Sequence, residues 1–164
     1  ILKEGDIVKV DVGAFIDGFH GDSARTFPVG KVSAEAMHLI EATKESFFKG
    51  FEQVSAGLRI GDIGAAVEAC AKANGFSVVR RHGVGHELHE SPEVPNYGTP
   101  GRGARLYPGM VIAIEPMVNA GVPDVLELPD GWTVKTADGK LSAHYENTVA
   151  LTDEGPIILT DAHV

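Results

Sequence analysis

Cysteine is almost absent from this 164-residue chain: Cys70 is the only one, so no disulfide can form within the chain. A single free thiol is typical of a reducing compartment, and we expect a cytoplasmic protein. Positive charge is also scarce, with 14 Lys and Arg against 23 Asp and Glu. The resulting net charge of −9 argues against direct binding to nucleic acid. No apolar run approaches the roughly 20 residues of a membrane span and no signal peptide is visible, so we expect no membrane association.

What is present indicates a globular α+β domain. Hydrophobic residues make up 43% of the chain, which is enough to form a core. We expect one domain over 1–164, with no linker or repeat. The chain begins with Ile1 rather than Met, and its first residues run almost directly into a strand. We therefore expect it to be part of a longer protein, truncated at its N-terminus.

Hydrophobic periodicity predicts two helices among several strands. The first helix has Ser33 as its N-cap and Gly57 at its close, with Met37, Ile40, Phe47, Phe51 and Val54 on the buried face. The second ends at Gly75. A long Pro/Gly loop, typical of functional loops, covers 91–109. The helices are predicted at 33–54 and 61–74, and the strands at 6–16, 19–29, 76–80, 110–115, 132–136, 143–151 and 156–160.

The first two strands form a predicted hairpin around Asp17-Gly18, because a two-residue Asp-Gly loop supplies the positive φ angles that such a turn needs. This turn places Gly13 opposite Asp22. Asp11 then lies one diagonal step from Asp22 on the same face, about 7–8 Å away at Cα. Gly13 leaves room there for a charged group. The other face, with Val8, Val10 and Val12, is predicted to be core. The alternative is that both aspartates lie on a solvated sheet face.

Two glutamates occupy similar strand-like surroundings. Glu115 ends the apolar run VIAI, and Pro116 stops that strand. Glu146 alternates with Ser142, His144 and Thr148 on one face of its strand. An exposed strand end for Glu115, and the surface of an edge strand for Glu146, remain open as alternatives.

Histidines concentrate in the segment HGVGHELHESPEVP, which contains His82, His86 and His89. The spacing is not the H-E-x-x-H of zinc peptidase helices, and the glycines argue against a helix. They indicate instead a tight backbone beside a ligand.

Ionised carboxylates on buried strands are costly unless something neutralises them. Four such carboxylates with one histidine are best explained by bound cations. The sequence therefore predicts a metal site formed by Asp11, Asp22, His82, Glu115 and Glu146.

These residues sit in motifs that resemble a known family. The segments KVDVGAF, GFHGDSARTF, HGVG, HESPEVPNYG, GMVIAIEPMV, DGWTVKT and LSAHYENTVALT are similar to type I methionine aminopeptidases, and the resemblance covers about 5–160. It implies a pita-bread fold, in which helices lie on the outer face of a curved antiparallel sheet. It also implies a hydrolase of the metalloprotease class that removes the N-terminal methionine from nascent proteins and peptides by a hydroxide activated between two metals.

The resemblance also implies roles for individual residues. The five predicted ligands match the family's metal ligands in order and type, with Asp22 and Glu146 at the bridging positions. They would hold two divalent ions: manganese, iron, cobalt or zinc. Glu115 would relay the proton, and His89 would contact the substrate and stabilise the oxyanion. Trp132 would lie near the methionine pocket, unless it is simply a half-buried strand aromatic.

Two departures from the family pattern concern the substrate site. The family carries a further catalytic histidine and much of its methionine pocket on a segment that would precede Ile1. It also has a few more residues before the position of His82. We therefore expect the 164 residues alone to be a poor catalyst. The partners implied are peptide and nascent-chain N-termini, with the parent protein associated with the ribosome.

Other functions of the same fold stay open. An Xaa-Pro aminopeptidase or dipeptidase is one alternative. A non-catalytic binding module is another, although such relatives have lost metal ligands that this chain retains.

Overall fold

Two helices and ten strands are formed by the part of the chain that the computed structural model describes, residues 1–79 and 91–161. In chain order they are β1 Ile7–Ile16, β2 Phe19–Pro28, α1 Ala34–Phe51, α2 Ile60–Ala73, β3 Ser77–Val78, β4 Val111–Ile114, β5 Met117–Asn119, β6 Val125–Glu127, β7 Val134–Thr136, β8 Ser142–His144, β9 Glu146–Thr152 and β10 Gly155–Ile158. The predicted α+β class is confirmed.

A five-stranded antiparallel sheet runs in the order β1-β2-β9-β10, and β4 also pairs with β9. Strands β3, β5 and β8 form a second sheet, and β6 pairs with β7. The predicted strand 143–151 is split at Tyr145, which lies between β8 and β9. The short strands β5 and β6 were missed, because three residues are too few to show a periodic pattern.

The helices cover one side of the sheet. Helix α1 packs against α2 and against β2, β4, β5 and β8. The ring of Tyr145 lies 5.2 Å from that of Phe47, a fully buried residue of α1. Because neighbouring residues of a strand point to opposite faces, His144 and Glu146 point away from α1. No helix among the described residues has the length and apolarity needed to cross a bilayer.

Helix α1 begins as predicted: the hydroxyl of Ser33 accepts a hydrogen bond from the Ala36 N–H at 3.1 Å. The helix ends at Phe51, earlier than predicted, and Gly57 lies in the following turn rather than at the cap. The prediction for Met37 is wrong, since this residue is 36% exposed. The buried residues of α1 are Ala36, Leu39, Ala42, Thr43, Ser46, Phe47 and Gly50.

The hairpin register is as predicted. Asp17 and Gly18 both have positive φ, of 52° and 87°, and Gly13 pairs with Asp22. The prediction that the opposite face is core is wrong for Val10 and Val12, which are 45% and 55% exposed. The reason is their position, because β1 is the outermost strand of the sheet order, whereas α1 packs on β2, β4, β5 and β8.

Helix α2 touches the Pro/Gly loop backbone to backbone. A Cβ atom at Gly64 would overlap the carbonyl oxygens of Pro95 and Tyr97, and one at Gly61 would overlap that of Thr99. The loop can therefore approach the backbone of α2 this closely only because Gly61 and Gly64 have no side chain.

We predict that Gly64→Ala destabilises the protein by about 1–3 kcal/mol, the usual cost of forcing extra atoms into a packed contact. Alanine gains roughly 1 kcal/mol in helix propensity over glycine, but the neighbouring atoms are backbone and cannot rotate away. Urea unfolding followed by circular dichroism measures the change.

The control is Ala69→Gly at an exposed position of the same helix. It reverses the chemical change and should cost only the propensity difference of about 1 kcal/mol. A Gly64→Ala variant that is more stable than the parent chain would show that the loop does not press on α2.

Candidate metal centre

The strand register places the predicted carboxylates in a row across the sheet. Asp11 of β1 pairs with Ala24 of β2, and Ala24 pairs with Glu146 of β9. Paired residues point to the same face, so Asp11 and Glu146 flank Ala24. The methyl group of Ala24 is 1% exposed and leaves the space above it to the two carboxylates.

Asp22 joins this row one diagonal step from Asp11. Its partner Gly13 has no side chain, and a Cβ built there would lie 3.9 Å from Oδ1 of Asp22. The backbone of Asp22 is fixed by Thr148, whose hydroxyl accepts from the Asp22 N–H at 2.8 Å and donates to the Asp22 carbonyl at 3.0 Å. The carboxylate is thereby held towards Asp11.

Glu115 lies one step beyond the end of the β4–β9 ladder. The last pair is Ile114 with Asn147, and the next residues in that register are Glu115 and Glu146. The side-chain amide of Asn96, a buried residue of the Pro/Gly loop, donates to the carbonyl of Glu115 at 2.8 Å. The loop thus holds the strand end that carries this carboxylate.

His144 of β8 is the fifth group at this place. Its side chain lies with those of Asp11 and Glu146 so that one potential metal-binding atom of each falls within 4.8 Å of the others. Nδ1 is 3.8 Å from Oδ2 of Asp11, and Nε2 is 3.6 Å from Oε2 of Glu146. The hydroxyl of Thr26 fixes the backbone of His144, accepting from its N–H and donating to its carbonyl, both at 2.8 Å.

Electrostatic repulsion and burial dominate this cluster. Burial and, after it, the neighbouring carboxylates raise the pKa of Glu146 to about 9. Those neighbours are, in order of effect, Glu115, Asp22 and Asp11. Burial and Asp11 also raise the pKa of Asp22. A carboxylate that resists ionisation at pH 7, as that of Glu146 does, is a sign that a positive charge belongs beside it.

The nearby side chains supply only part of that charge: Arg25 lowers the pKa of Glu146, but by less than burial and the other carboxylates raise it. Burial and the charge of Lys9 lower the pKa of His144 to about 4, so its imidazole is neutral at pH 7. Arg25 donates to the carbonyl of Glu146 at 2.5 Å and to Oδ1 of Asn147 at 2.8 Å, and its guanidinium stacks on Tyr145. Arg25 therefore supports the strand from the side that faces α1.

The donor set fits divalent metal ions. Among the described residues, Oδ1 of Asp22 and Nε2 of His144 are buried without a hydrogen-bond partner. Buried polar atoms are rarely left in this state, because the loss of their hydration is not compensated. Both atoms belong to groups that bind metal, and both lie beside further carboxylates. A cation between them would satisfy these atoms and offset the repulsion.

The structure brings together four of the predicted residues, Asp11, Asp22, Glu115 and Glu146. The edge-strand alternative for Glu146 is wrong, because β9 is a central strand and Glu146 is 3% exposed. Trp132 lies before β7 and is 90% exposed, so it is not a half-buried strand residue.

The remaining predicted residues, His82 and His89, lie outside the described residues.

His144 is the residue whose part in this cluster was not predicted. The sequence placed it on the same strand face as Glu146, two residues away, and that alternation was the available signal. A histidine two residues before a candidate ligand glutamate should therefore be considered with it.

The chain is similar to known metallopeptidases. Residues 1–153 match the profile of metallopeptidase family M24. The methionine aminopeptidase of Clostridium perfringens is 59% identical over 162 residues, which cover 97% of this chain and 65% of the relative. Methionine aminopeptidase 1 of Bacillus subtilis is 51% identical, with 98% of this chain and 66% of the relative covered.

The chain is also similar to solved structures of a methionine aminopeptidase and of a prolidase. The methionine aminopeptidase of Thermotoga maritima matches with a TM-score of 0.93 at 45% identity, covering 99% of this chain and 66% of that structure. A prolidase from Pyrococcus horikoshii OT3 matches at 0.75 and 25%, with coverages of 99% and 42%. The pita-bread fold is confirmed. This chain spans about 65% of the length of the first of these relatives.

We predict that chelated protein becomes less stable as the pH rises from 7 to 9, and that Glu146→Gln removes much of this loss. The folded pKa of Glu146, about 9, lies above its ordinary value of 4.5, so the folded state holds this proton more tightly than the unfolded state. The associated stability is complete below the ordinary pKa and is lost as the pH rises through the folded value. One proton accounts for at most about 1.4 kcal/mol per pH unit.

Urea unfolding in EDTA at several pH values measures this difference. His144, with a pKa of about 4, stays neutral across the chosen range. The matched control is Glu154→Gln in the exposed turn between β9 and β10, which should keep the slope of the parent chain. Equal slopes for the parent chain and Glu146→Gln would mean that Glu146 is already ionised without metal.

Proposed function

We propose that this chain, which belongs to metallopeptidase family M24, carries the metal centre of a methionine aminopeptidase. The enzyme would remove the N-terminal methionine from nascent proteins and peptides. The observation that carries the proposal is the convergence of buried Glu146 with Asp11, Asp22 and Glu115, beside buried atoms of Asp22 and His144 that lack a hydrogen-bond partner among the described residues. The identity of 59% and 51% to two methionine aminopeptidases supports the choice of substrate.

The proposed ligands of two divalent ions are Asp11, Asp22, His82, Glu115 and Glu146. Asp22 and Glu146 are proposed to lie between the ions, which agrees with their position in the middle of the carboxylate row. A set of one imidazole and four carboxylates suits manganese, iron, cobalt or zinc. When bound, such ions polarise a carbonyl group and lower the pKa of a water molecule.

The chain's own residues would position the substrate and move the proton. Glu115, at the strand end that Asn96 holds, is proposed to accept the proton of the attacking water and pass it to the departing amine. His89 is proposed to donate a hydrogen bond to the oxygen of the scissile carbonyl as negative charge develops there. The exposed indole of Trp132 is available to contact the methionine side chain.

The proposed substrates are the free N-termini of peptides and nascent chains. Association with the ribosome and a cytoplasmic location belong to the same proposal, since nascent N-termini emerge at the ribosome. The support for the location is the single cysteine of the chain.

A prolidase-like specificity is the second candidate. The match to a prolidase structure favours it, but the identity is 25%, against 45% for a methionine aminopeptidase structure. A non-catalytic module is less well supported, because the chain retains all four clustered carboxylates.

We predict that Asp22→Asn lowers the affinity for Mn²⁺ by more than about 10–100-fold. That range is typical when the mutated residue contacts a metal ligand but not the metal itself. The variant loses a ligand charge but keeps its size and the backbone bonds to Thr148. Calorimetric titration of the metal-free chain gives the affinity, and circular dichroism checks the fold.

The control for this variant is Asp17→Asn in the hairpin turn, where φ is 52° and asparagine is well tolerated. It removes the same charge from the same hairpin and should leave metal affinity nearly unchanged. Equal affinity of Asp22→Asn and the parent chain for Mn²⁺ would remove Asp22 from the ligand set.

Substrate specificity is tested in a complete enzyme. We expect a chimera, in which this chain replaces the matching 162 residues of the Clostridium perfringens enzyme, to release methionine from Met-Ala-Ser with Mn²⁺ or Co²⁺. Ala-Pro should be cleaved far more slowly. Glu115→Gln in the chimera is the inactive reference, and loss of one positioned proton acceptor should cost about 10²–10⁴-fold in rate.

A chimera that folds and binds metal but prefers Ala-Pro would favour the prolidase candidate. One that folds and binds metal but cleaves neither peptide would favour the non-catalytic module.

A further inference from the structure

We propose that His144 is an additional nitrogen ligand of the metal centre, which binds a divalent cation through Nε2 beside Glu146. The inference rests on the proposed metal centre and extends its donor set. It assigns to the centre an imidazole supplied by β8, on the strand that precedes Glu146.

The distances fit shared coordination better than hydrogen bonding. Nε2 of His144 is 3.6 Å from Oε2 of Glu146, and Nδ1 is 3.8 Å from Oδ2 of Asp11. Both separations exceed the 2.7–3.2 Å of an ordinary N–H···O hydrogen bond. Two atoms that bind one ion at about 2.0–2.2 Å lie roughly 3–3.5 Å apart. The separation of Nε2 from the Glu146 oxygen is close to that value.

Nε2 of His144 is buried, and no hydrogen bond within the described part of the chain accounts for its position. His144 is 7% exposed, and Nε2 has no hydrogen-bond partner among the described residues. A histidine that served only the core would be expected to satisfy this atom. The two bonds from Thr26 fix the backbone of His144, so the strand itself holds the ring beside the carboxylates.

The second ring nitrogen faces a carboxylate. Histidines that bind metal commonly direct their other N–H to a carboxylate, which selects the tautomer and the orientation of the ring. In His144 the atom that faces Asp11 is Nδ1. The 3.8 Å separation is too long for a hydrogen bond, but it places this carboxylate on the Nδ1 side of the ring and leaves Nε2 as the nitrogen beside Glu146.

The ligand type has a consequence for metal choice. Imidazole suits zinc, iron and other later transition metals better than manganese, which favours oxygen ligands. His144 should therefore increase the preference of the site for Co²⁺ or Zn²⁺ over Mn²⁺.

The decisive experiment counts histidine nitrogens on bound Mn²⁺ by pulsed electron paramagnetic resonance at one equivalent of metal. The proteins are the parent chain, His82→Gln, His144→Gln and the double variant. We expect His82→Gln to keep a nitrogen coupling from His144, and the double variant to lose it. The proposal is overturned if His82→Gln binds Mn²⁺ without nitrogen coupling, or if the double variant shows the same coupling as His82→Gln.

Calorimetry with Co²⁺ and Mn²⁺ supplies a second readout. His144→Gln should lower Co²⁺ affinity more than 100-fold and Mn²⁺ affinity less. A loss of about 10–100-fold that is equal for both metals, with nitrogen coupling unchanged, would overturn direct ligation. Such a loss is typical of a residue that contacts a metal ligand but not the metal itself.

The matched control is His38→Gln on α1, where the ring lies 3.0 Å from Oδ1 of Asn74. It should leave affinity and coupling unchanged.

The parent chain distinguishes a failure of the proposed metal centre from a failure of His144 as a ligand. If it binds neither metal, the proposed metal centre fails. If it binds metal and the nitrogen coupling does not depend on His144, only the present inference fails.

Discussion

The repulsion between the buried carboxylate of Glu146 and the carboxylates beside it is the constraint on which the rest of this structure depends. Glu146 is 3% exposed, and the neighbouring acids contribute to the rise of its pKa to about 9. Such a group is costly to ionise unless a cation lies beside it. The surrounding structure makes room for one: Ala24 and Gly13 are the small residues between and opposite the acids. The same region is braced from behind by Arg25.

The site is formed by pairing within the β1–β2 hairpin and by pairing of β2 with β9, which is distant in the sequence. Only the hairpin pairing could be predicted from the sequence pattern. The Asp17-Gly18 turn determines the hairpin register, so the shared face of Asp11 and Asp22 could be predicted correctly. The pairing of Ala24 with Glu146 joins strands far apart in the sequence, and periodicity contains no information about it. For Glu146 and Glu115 the prediction depended on the cost of burying charge and on the resemblance to a family.

The errors have physical causes of the same kind. Val10 and Val12 show the alternation of a core strand, yet they are exposed because the helix layer does not extend to the outermost strand. His144 was noticed only as a neighbour of Glu146, since one histidine on a strand gives no distinctive signal. The contact of Gly64 with the Pro/Gly loop is likewise tertiary, and a glycine inside a helix pattern does not reveal what touches it.

The central claim is that divalent cations occupy the space among these carboxylates. Crystals of the chain soaked with Mn²⁺ or Co²⁺, measured at the absorption edge of the metal, test it directly through anomalous difference density. We expect peaks about 2.0–2.3 Å from carboxylate oxygens of Asp22 and Glu146, and about 3.5–4 Å apart if two ions bind together. Saturating metal that gives no anomalous density among Asp11, Asp22 and Glu146 would contradict the account.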